Sequence, residues 1–176
     1  MGSTWKSTML RLSTFSCIFM YNSSSICSSY TICWLLQMSF KRFIGFADGT
    51  SRHTCNLASA AWVIYSPSWQ LVSSGGACLG PATNNVVKYR AVIDLLWDAL
   101  SCGITQLEVR LDSQLVVSQL NQASVRNLIL LRQFLQVILL ERNFDFISFN
   151  HIPRNQNSLT DAYANYILDW HLTHFA

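Results

Sequence analysis

The sequence predicts an α/β domain with a mixed five-stranded sheet, in which three antiparallel strands are followed by two parallel strands and helices flank the sheet. Three observations predict this class. Three short apolar segments separated by turn residues come first, two alternating segments follow later, and helical periodicity fills the chain around those two. The predicted order is β-β-β-α-β-α-α-β-α. Because strands that return through helices normally make right-handed crossovers, we expect the last two strands to pair in parallel.

The first three segments indicate an antiparallel meander. Phe43–Asp48 (FIGFAD) is typical of a short strand that ends in a carboxylate, and Gly49–Ser51 then predicts a turn. Ala58–Tyr65 is expected to be an apolar strand. Gln70–Leu79 is expected to be the third strand, in which Gly75-Gly76 indicates a bulge or a bend.

A helix is expected from about Asn85 to Ser101, because apolar residues recur there at helical spacing and Gly103 can end it. Lys88 is the exceptional residue of this helix. At 100° per residue it lies about 200° around the helix from Arg90 but only about 40° from the apolar Val92. We therefore expect Lys88 to project towards the sheet, with a snorkelling surface lysine as the ordinary alternative.

The stretch from Leu107 to Leu120 (LEVRLDSQLVVSQL) joins a strand to a helix and places a carboxylate between them. Residues 107–111 alternate between apolar and charged side chains, which is typical of a half-buried strand. Asp112 stands where the strand ends, and Ser113 can cap the following helix. Since ligands gather at this edge of α/β sheets, Asp112 is a candidate functional residue, with a plain turn or capping role as the alternative.

The last part of the chain predicts two more helices and the fifth strand. Leu128–Leu140 is a strongly apolar helix, Phe144–Asn150 alternates as a strand, and a helix from about Ser158 to Trp170 follows a polar loop. Asp161 falls in the first turn or so of that helix. The sequence contains no P-loop, no GxGxxG motif and no serine in a nucleophile elbow, and we expect no small-molecule cofactor.

Three aspartates are expected to meet at one edge of the sheet. Asp48 and Asp112 end strands that could lie side by side, and Asp161 could reach the same edge from the last helix. Clustered carboxylates are costly unless a cation neutralises them, and hard oxygen ligands suit Mg²⁺. Since paired ions stabilise an in-line attack on a phosphodiester, this grouping indicates metal-assisted phosphodiester chemistry.

Four short motifs occur in an order that resembles a known family. They are DGTS at 48–51, TNN at 83–85, DSQ at 112–114, and HIPR followed by an aspartate at 151–161. Over roughly residues 42–170 the chain resembles a type 1-like ribonuclease H domain, most of all the domain of plant gypsy-class retroelement polyproteins. The resemblance implies cleavage of the RNA strand of RNA/DNA hybrids with two Mg²⁺ ions, with Mn²⁺ as a second candidate ion.

The resemblance also implies roles for individual residues. Asp48, Asp112 and Asp161 take the first, third and fourth places among the family's metal ligands. His151 matches, less closely, a mobile histidine that assists turnover. The residues implied to contact the hybrid substrate are Gly49, Asn84, Asn85, Ser113 and Gln114.

The second metal ligand of the family is replaced in this chain. Family members carry Glu one residue before a tyrosine of the first helix, and here that position is Lys88, before Tyr89. The change loses one attraction and adds one repulsion, each worth roughly 4 kcal/mol at 4 Å and an effective dielectric of 20. We therefore expect weak Mg²⁺ binding and reduced or lost activity. We also expect Lys88 to pair with Asp48 or Asp112, to lower the pKa of that carboxyl group and to stay charged.

Residues 1–40 differ in composition from residues 41–176, which are expected to form the folded domain. Leu12–Phe40 contains no charged residue but eight serines. Three interpretations are open: a poorly ordered leader, an organellar transit peptide, or a transmembrane or signal-anchor segment, although serines interrupt every apolar window of about 20 residues. The six cysteines show neither CxxC nor zinc spacing, which indicates reduced thiols of an intracellular protein, in the nucleus or cytoplasm.

Three functions are open at this point. The first is an RNA/DNA-hybrid ribonuclease whose activity Lys88 reduces. The second is a non-catalytic nucleic-acid-binding domain or structural remnant of a retroelement ribonuclease H. The third, for which the sequence gives least support, is a membrane-attached or protein-interaction module built on residues 1–40. The net charge of +3 allows a nucleic-acid partner without requiring one, and the sequence does not set the oligomeric state.

Overall fold

The elements follow one another in the order that the sequence predicts. The computed structural model describes residues 42–175, and all bounds refer to that part of the chain. The strands are β1 (Phe43–Arg52), β2 (Leu57–Tyr65), β3 (Leu71–Leu79), β4 (Gln106–Leu111) and β5 (Phe146–His151). The helices are α1 (Asn84–Ser101), α2 (Gln114–Gln122), α3 (Leu128–Glu141) and α4 (Ser158–Phe175), with a 3₁₀ turn at Arg154–Gln156.

The strands form one mixed sheet in the order β3-β2-β1-β4-β5. β2 pairs antiparallel with β1 and β3, whereas β4 pairs parallel with β1 and β5. This arrangement confirms the predicted fold class. The pairing of β1 with β4 ends at Phe46 and Arg110, so Asp48 and Asp112 each lie two residues beyond the last pair. Parallel neighbours thus bring the two aspartates to the same edge of the sheet.

Helices cover both faces of the sheet. α1 lies against one face, where a Cβ added to Gly45 would stand 2.8 Å from a methyl carbon of Leu95. α4 lies against the other face, where Ser59 Oγ donates a hydrogen bond to the Ala164 carbonyl oxygen at 2.6 Å. α3 packs against α1. The core lies mainly between α1 and the sheet, and α1 contributes the fully buried side chains Val87, Tyr89, Val92, Leu95 and Leu96.

Residues 1–41 lie outside the described residues, so the three interpretations of residues 1–40 stay predictions. Within residues 42–175, no helix is long and apolar enough to cross a membrane. The cysteines of this range, Cys55, Cys78 and Cys102, are free thiols, which agrees with the expectation of reduced cysteines.

The first strand is longer than the sequence suggests. Gly49–Ser51, predicted to be a turn, continues β1 and pairs with β2, with Gly49 opposite Ala60. The chain turns only at residues 53–56, where Asn56 has a φ of 55°. Glycine occurs at position 49 because the backbone of α1 passes against it, since an added Cβ would lie 2.7 Å from the Val87 carbonyl carbon.

The predicted bulge at Gly75-Gly76 is also wrong. Both glycines pair regularly with β2, and the register shifts instead at Ile64 and Tyr65. The glycines make room for neighbours: a Cβ at Gly75 would stand 2.3 Å from the Trp62 ring, and one at Gly76 would stand 2.0 Å from a methyl carbon of Ile167. The absence of a side chain therefore serves packing on both faces of β3.

Gly49→Ala should destabilise the fold. The new Cβ would lie 2.7 Å from the Val87 carbonyl carbon and 2.9 Å from the Lys88 amide nitrogen. Because these atoms belong to the backbone of α1, the helix would have to move, at a cost of about 1–3 kcal/mol or more. Urea unfolding should show this loss beside the matched variant Gly80→Ala, whose Cβ meets nothing within 4 Å. Equal stability of the two variants would contradict the described contact.

Candidate active site

Lys88 joins the two aspartates of the parallel strand pair. Its Nζ donates hydrogen bonds to Oδ1 of Asp48 and, at 2.6 Å, to Oδ1 of Asp112. Asp48 lies within β1 and Asp112 directly follows β4, so one ammonium group bridges adjacent strands. The exposed fraction of the side chain is 2% for Asp48, 7% for Asp112 and 17% for Lys88. The three groups therefore form a largely desolvated ion cluster.

The start of α1 is tied to β1, and this attachment aims Lys88 at the aspartates. Asn84 Oδ1 accepts hydrogen bonds from Ser51 N at 3.0 Å and from Ser51 Oγ at 2.9 Å. About one turn later in α1, the helix backbone at Val87 and Lys88 approaches β1 closely, because Gly49 of β1 has no side chain. The residues on either side of Lys88 are fully buried. The prediction from helical periodicity, that Lys88 projects towards the sheet, is confirmed.

Burial and the lysine have opposite effects on the pKa of Asp48. Removal from water raises this pKa, and the charge and hydrogen bond of Lys88 lower it by less, so the net pKa of Asp48 is about 6. The expectation of a lowered carboxyl pKa is therefore wrong in its net direction for Asp48. Burial lowers the pKa of Lys88, but the two carboxylates together outweigh it and raise that pKa, so the lysine stays charged.

Asp161 reaches the same place from the first turn of α4. Its Oδ1 accepts a hydrogen bond from Arg154 Nη2 at 3.2 Å. The Arg154 side chain remains 77% exposed, against 28% for Asp161. The hydrogen bond with Asp161 raises the pKa of Arg154, and the charges of Asp112 and Asp48 add to the effect. The three aspartates thus act on one guanidinium group and share one electrostatic environment.

The groups described above line a single cavity of about 400 Å³ at the carboxyl edge of the sheet. Most of its lining residues were singled out from the sequence, which supports the predicted grouping in space, whereas their roles in catalysis or binding stay predictions. The lining consists of Asp48, Gly49, Thr50, Asn84, Lys88, Asp112, Ser113, Gln114, Arg154 and Asp161.

Two predicted residues do not line this cavity. His151 is exposed at the end of β5 and pairs in register with Leu111, whose side chain points into the core. Register partners in a parallel ladder point to the same face of the sheet, so the side chain of His151 lies on the face of Leu111. Asp112, one residue later, points into the cavity instead. Asn85 is half-buried and lies one helical step of about 100° away from Asn84, which does line the cavity.

Thr50 and Arg154 line the cavity although neither was predicted to have a role. Thr50 falls in the segment predicted as a turn, and it reaches the cavity because β1 continues through it. Arg154 is part of the HIPR motif, seven residues before Asp161. A basic residue shortly before a helix whose first turn holds a carboxylate is the signal that could have identified it.

The donor set of the cavity does not fit a metal centre. A Mg²⁺ ion needs several oxygen ligands that converge on one point. Here Nζ of Lys88 takes the point between Asp48 and Asp112, and Asp161 is engaged with Arg154. Within residues 42–175, no group of three or more His, Cys, Asp or Glu side chains is arranged to hold a metal ion. Three carboxylates and two cations leave one formal negative charge.

The fold and the cavity define the class of this protein. A mixed five-stranded sheet in this order, with helices on both faces, is the ribonuclease H-like fold. The chain belongs to the family described as reverse transcriptase-like, whose match covers residues 46–167.

Related proteins agree with this assignment. Ribonuclease HI of Halobacterium salinarum is 38% identical over 129 residues, which are 73% of this chain and 65% of that protein. A bifunctional protein of Mycobacterium tuberculosis is 34% identical over 125 residues, which are 70% of this chain and 34% of that protein. The chain therefore spans less than two thirds of the length of either relative.

Two solved structures are similar to the described domain. The crystal structure of RNase H1 from Halobacterium salinarum has a TM-score of 0.69 at 38% identity, covering 73% of this chain and 98% of that one. LC11-RNase H1, isolated from compost and solved in complex with an RNA/DNA hybrid, has a TM-score of 0.69 at 29% identity. That comparison covers 74% of this chain and 99% of the other.

Ionisation of Asp48 should lower stability as the pH rises from about 4 to about 6. The folded pKa of about 6 exceeds the ordinary value of 3.8, so in this window the folded state holds a proton that the unfolded state has lost. Asp48→Asn removes this titration. Urea unfolding between about pH 4 and 7 should show the stability of Asp48→Asn rising relative to wild type as the pH increases. The opposite slope would contradict the raised pKa.

Proposed function

We propose that this chain is a ribonuclease H domain that binds RNA/DNA hybrids and in which cleavage of the RNA strand is strongly reduced or lost. The observation that carries the proposal is the bridge from Lys88 to Asp48 and Asp112 at the ligand edge of the sheet. The 38% identity with ribonuclease HI of Halobacterium salinarum supports the ribonuclease descent. A similar ribonuclease H1 solved with an RNA/DNA hybrid supports the choice of ligand.

The polar groups around the bridge are suited to a nucleic-acid strand. Asn84 and Gln114 both line the cavity and are exposed. The Asn84 amide oxygen is engaged by Ser51, which leaves its amide N–H groups as donors. Gln114 Nε2 donates to Ser118 Oγ at 3.0 Å, so its amide oxygen is an acceptor suited to a ribose 2′-hydroxyl. Such contacts distinguish RNA from DNA without any metal ion.

The reduced cleavage follows from what Lys88 replaces. The resemblance to ribonuclease H assigns a glutamate ligand to this position, and Mg²⁺ or Mn²⁺ to the centre. A bound pair of ions would supply charge stabilisation at the attacking and leaving oxygens of the phosphodiester. This chain instead offers one ammonium group, already hydrogen-bonded to Asp48 and Asp112.

A wholly non-catalytic binding domain or structural remnant is the second candidate. It is favoured by the same bridge, because both buried carboxylates have a counter-ion without a metal. Descent from a retroelement, including the plant gypsy class that the motifs resemble, is part of this proposal. We place the protein in the nucleus or cytoplasm, with organellar targeting as the alternative.

Lys88→Glu should restore cleavage of RNA/DNA hybrids. The wild type has no carboxylate on the face of α1 that contacts Asp48 and Asp112. The variant adds one there, as the fourth carboxylate of the cavity. A loss of several kcal/mol in metal binding lowers the metal affinity about 10²-fold or more. The cleavage rate of the variant should therefore exceed that of the wild type by at least this factor. The measurement is cleavage of a labelled hybrid in Mg²⁺ and in Mn²⁺, with double-stranded DNA as the substrate control.

The double variant Lys88→Glu/Asp112→Asn is the matched control and should lose the restored activity. Wild type as active as Lys88→Glu would overturn the account of position 88. If both proteins bind the hybrid and neither cleaves it, the second candidate is favoured.

A further inference from the structure

We infer that Lys88 is a built-in cation, and that it lets this cavity bind the phosphates of an RNA/DNA hybrid without any divalent metal ion. The inference rests on the proposed function for the identity of the nucleic acid. It goes further because it concerns what neutralises the cavity, whether or not the RNA strand is cleaved.

The geometry of the bridge supports this role. Lys88 donates to Asp48 of β1 and to Asp112, which directly follows β4, so one ammonium group bridges both sides of the cleft and balances one of their two negative charges. An ammonium group has three N–H donors, and these two bonds leave the third for an incoming phosphate oxygen. Lys88 lines the open cavity, so that donor is within reach of a ligand.

The charge balance of the cavity points the same way. Lys88 and Arg154 oppose the carboxylates of Asp48, Asp112 and Asp161, which leaves one formal negative charge. A glutamate at position 88 would leave three. A phosphodiester carries its own negative charge, so the glutamate form would need external cations before it could bind the ligand. In the present form, Lys88 and Arg154 already supply most of the positive charge that is needed.

Arg154 supplies the second contact that a phosphate requires. Its guanidinium group carries five N–H donors and makes one described hydrogen bond, to Asp161. Its side chain is 77% exposed at the rim of the cavity that Lys88 also lines. A phosphate oxygen could therefore meet an ammonium from α1 and a planar guanidinium from the loop before α4, which is a strong anion-binding combination.

A divalent ion would compete poorly at this place. To bind Asp48 and Asp112 it would have to displace an ammonium group that is covalently attached and already desolvated. Mg²⁺ also gives up its own water reluctantly. The tethered cation is present at any metal concentration, so the folded state should not respond to Mg²⁺.

Hybrid binding tests the inference directly. Fluorescence anisotropy of a labelled RNA/DNA hybrid should give the wild-type chain the same affinity in EDTA and in millimolar Mg²⁺ at matched ionic strength, within about twofold. Lys88→Gln removes the cation without adding the carboxylate that cleavage requires, so it should bind the hybrid weakly in EDTA and at least about ten times more tightly in Mg²⁺. Arg90→Gln is the matched control: it makes the same charge change on an exposed part of α1 and should leave the binding independent of metal.

Thermal unfolding gives a second readout that needs no nucleic acid. The melting temperature of the wild type should be equal in EDTA and in Mg²⁺, whereas that of Lys88→Glu should fall in EDTA and rise with Mg²⁺ by binding linkage. If Lys88→Glu does not fold, Lys88→Gln leaves Asp48 and Asp112 without a counter-ion and should show the same Mg²⁺-dependent rise.

Wild-type binding or melting that depends on Mg²⁺ would overturn the inference. Absence of hybrid binding under every condition would instead overturn the proposed function. In that event the melting data alone would still decide whether Lys88 replaces the metal.

Discussion

The close contact between α1 and β1 at Gly49 is the constraint on which the cavity depends. Without a Cβ at this position, the backbone of the helix can pass against the strand, and the Asn84–Ser51 hydrogen bonds hold its first turn there. The side chain of Lys88 then starts close enough to meet two strands at once. The cavity also depends on the parallel pairing of β1 with β4, because this pairing brings Asp48 and Asp112 to one edge of the sheet.

A buried cluster of this kind is required mainly because its parts would be costly alone. Asp48 is almost fully buried, and burial dominates its pKa even with Lys88 beside it. Removing one partner of a buried ion pair leaves an uncompensated charge, which typically costs about 3–5 kcal/mol. The presence of the ion cluster is therefore not evidence that the fold is more stable than it would be with apolar residues at these positions. When both aspartates are ionised, however, they require a cation beside them.

The sequence predicts those features that depend on local backbone periodicity. The inward direction of Lys88 follows from 100° per residue, and the shared edge of Asp48 and Asp112 follows from the strand order. The features it misses depend on distant partners. The residues at Gly49–Ser51 are typical of a turn, but Gly49 lies in space against Val87, a helix residue almost forty positions later in the chain. Arg154 acts through a 3₁₀ turn, whose geometry no periodic pattern encodes, and the net pKa of Asp48 depends on the packed layers around it.

Binding and cleavage of a phosphodiester make different electrostatic demands on this edge of the sheet. Binding needs the charge of the bound phosphate to be balanced, and one ammonium and one guanidinium group can do that. Cleavage needs charge stabilisation on both sides of the phosphorus, where the attacking and leaving oxygens develop negative charge. Lys88 stands at one fixed point, held by Asp48 and Asp112, and cannot serve both oxygens. Under the proposed function, a lysine at this one position of α1 would be enough to separate recognition of the nucleic acid from its hydrolysis while the fold is kept.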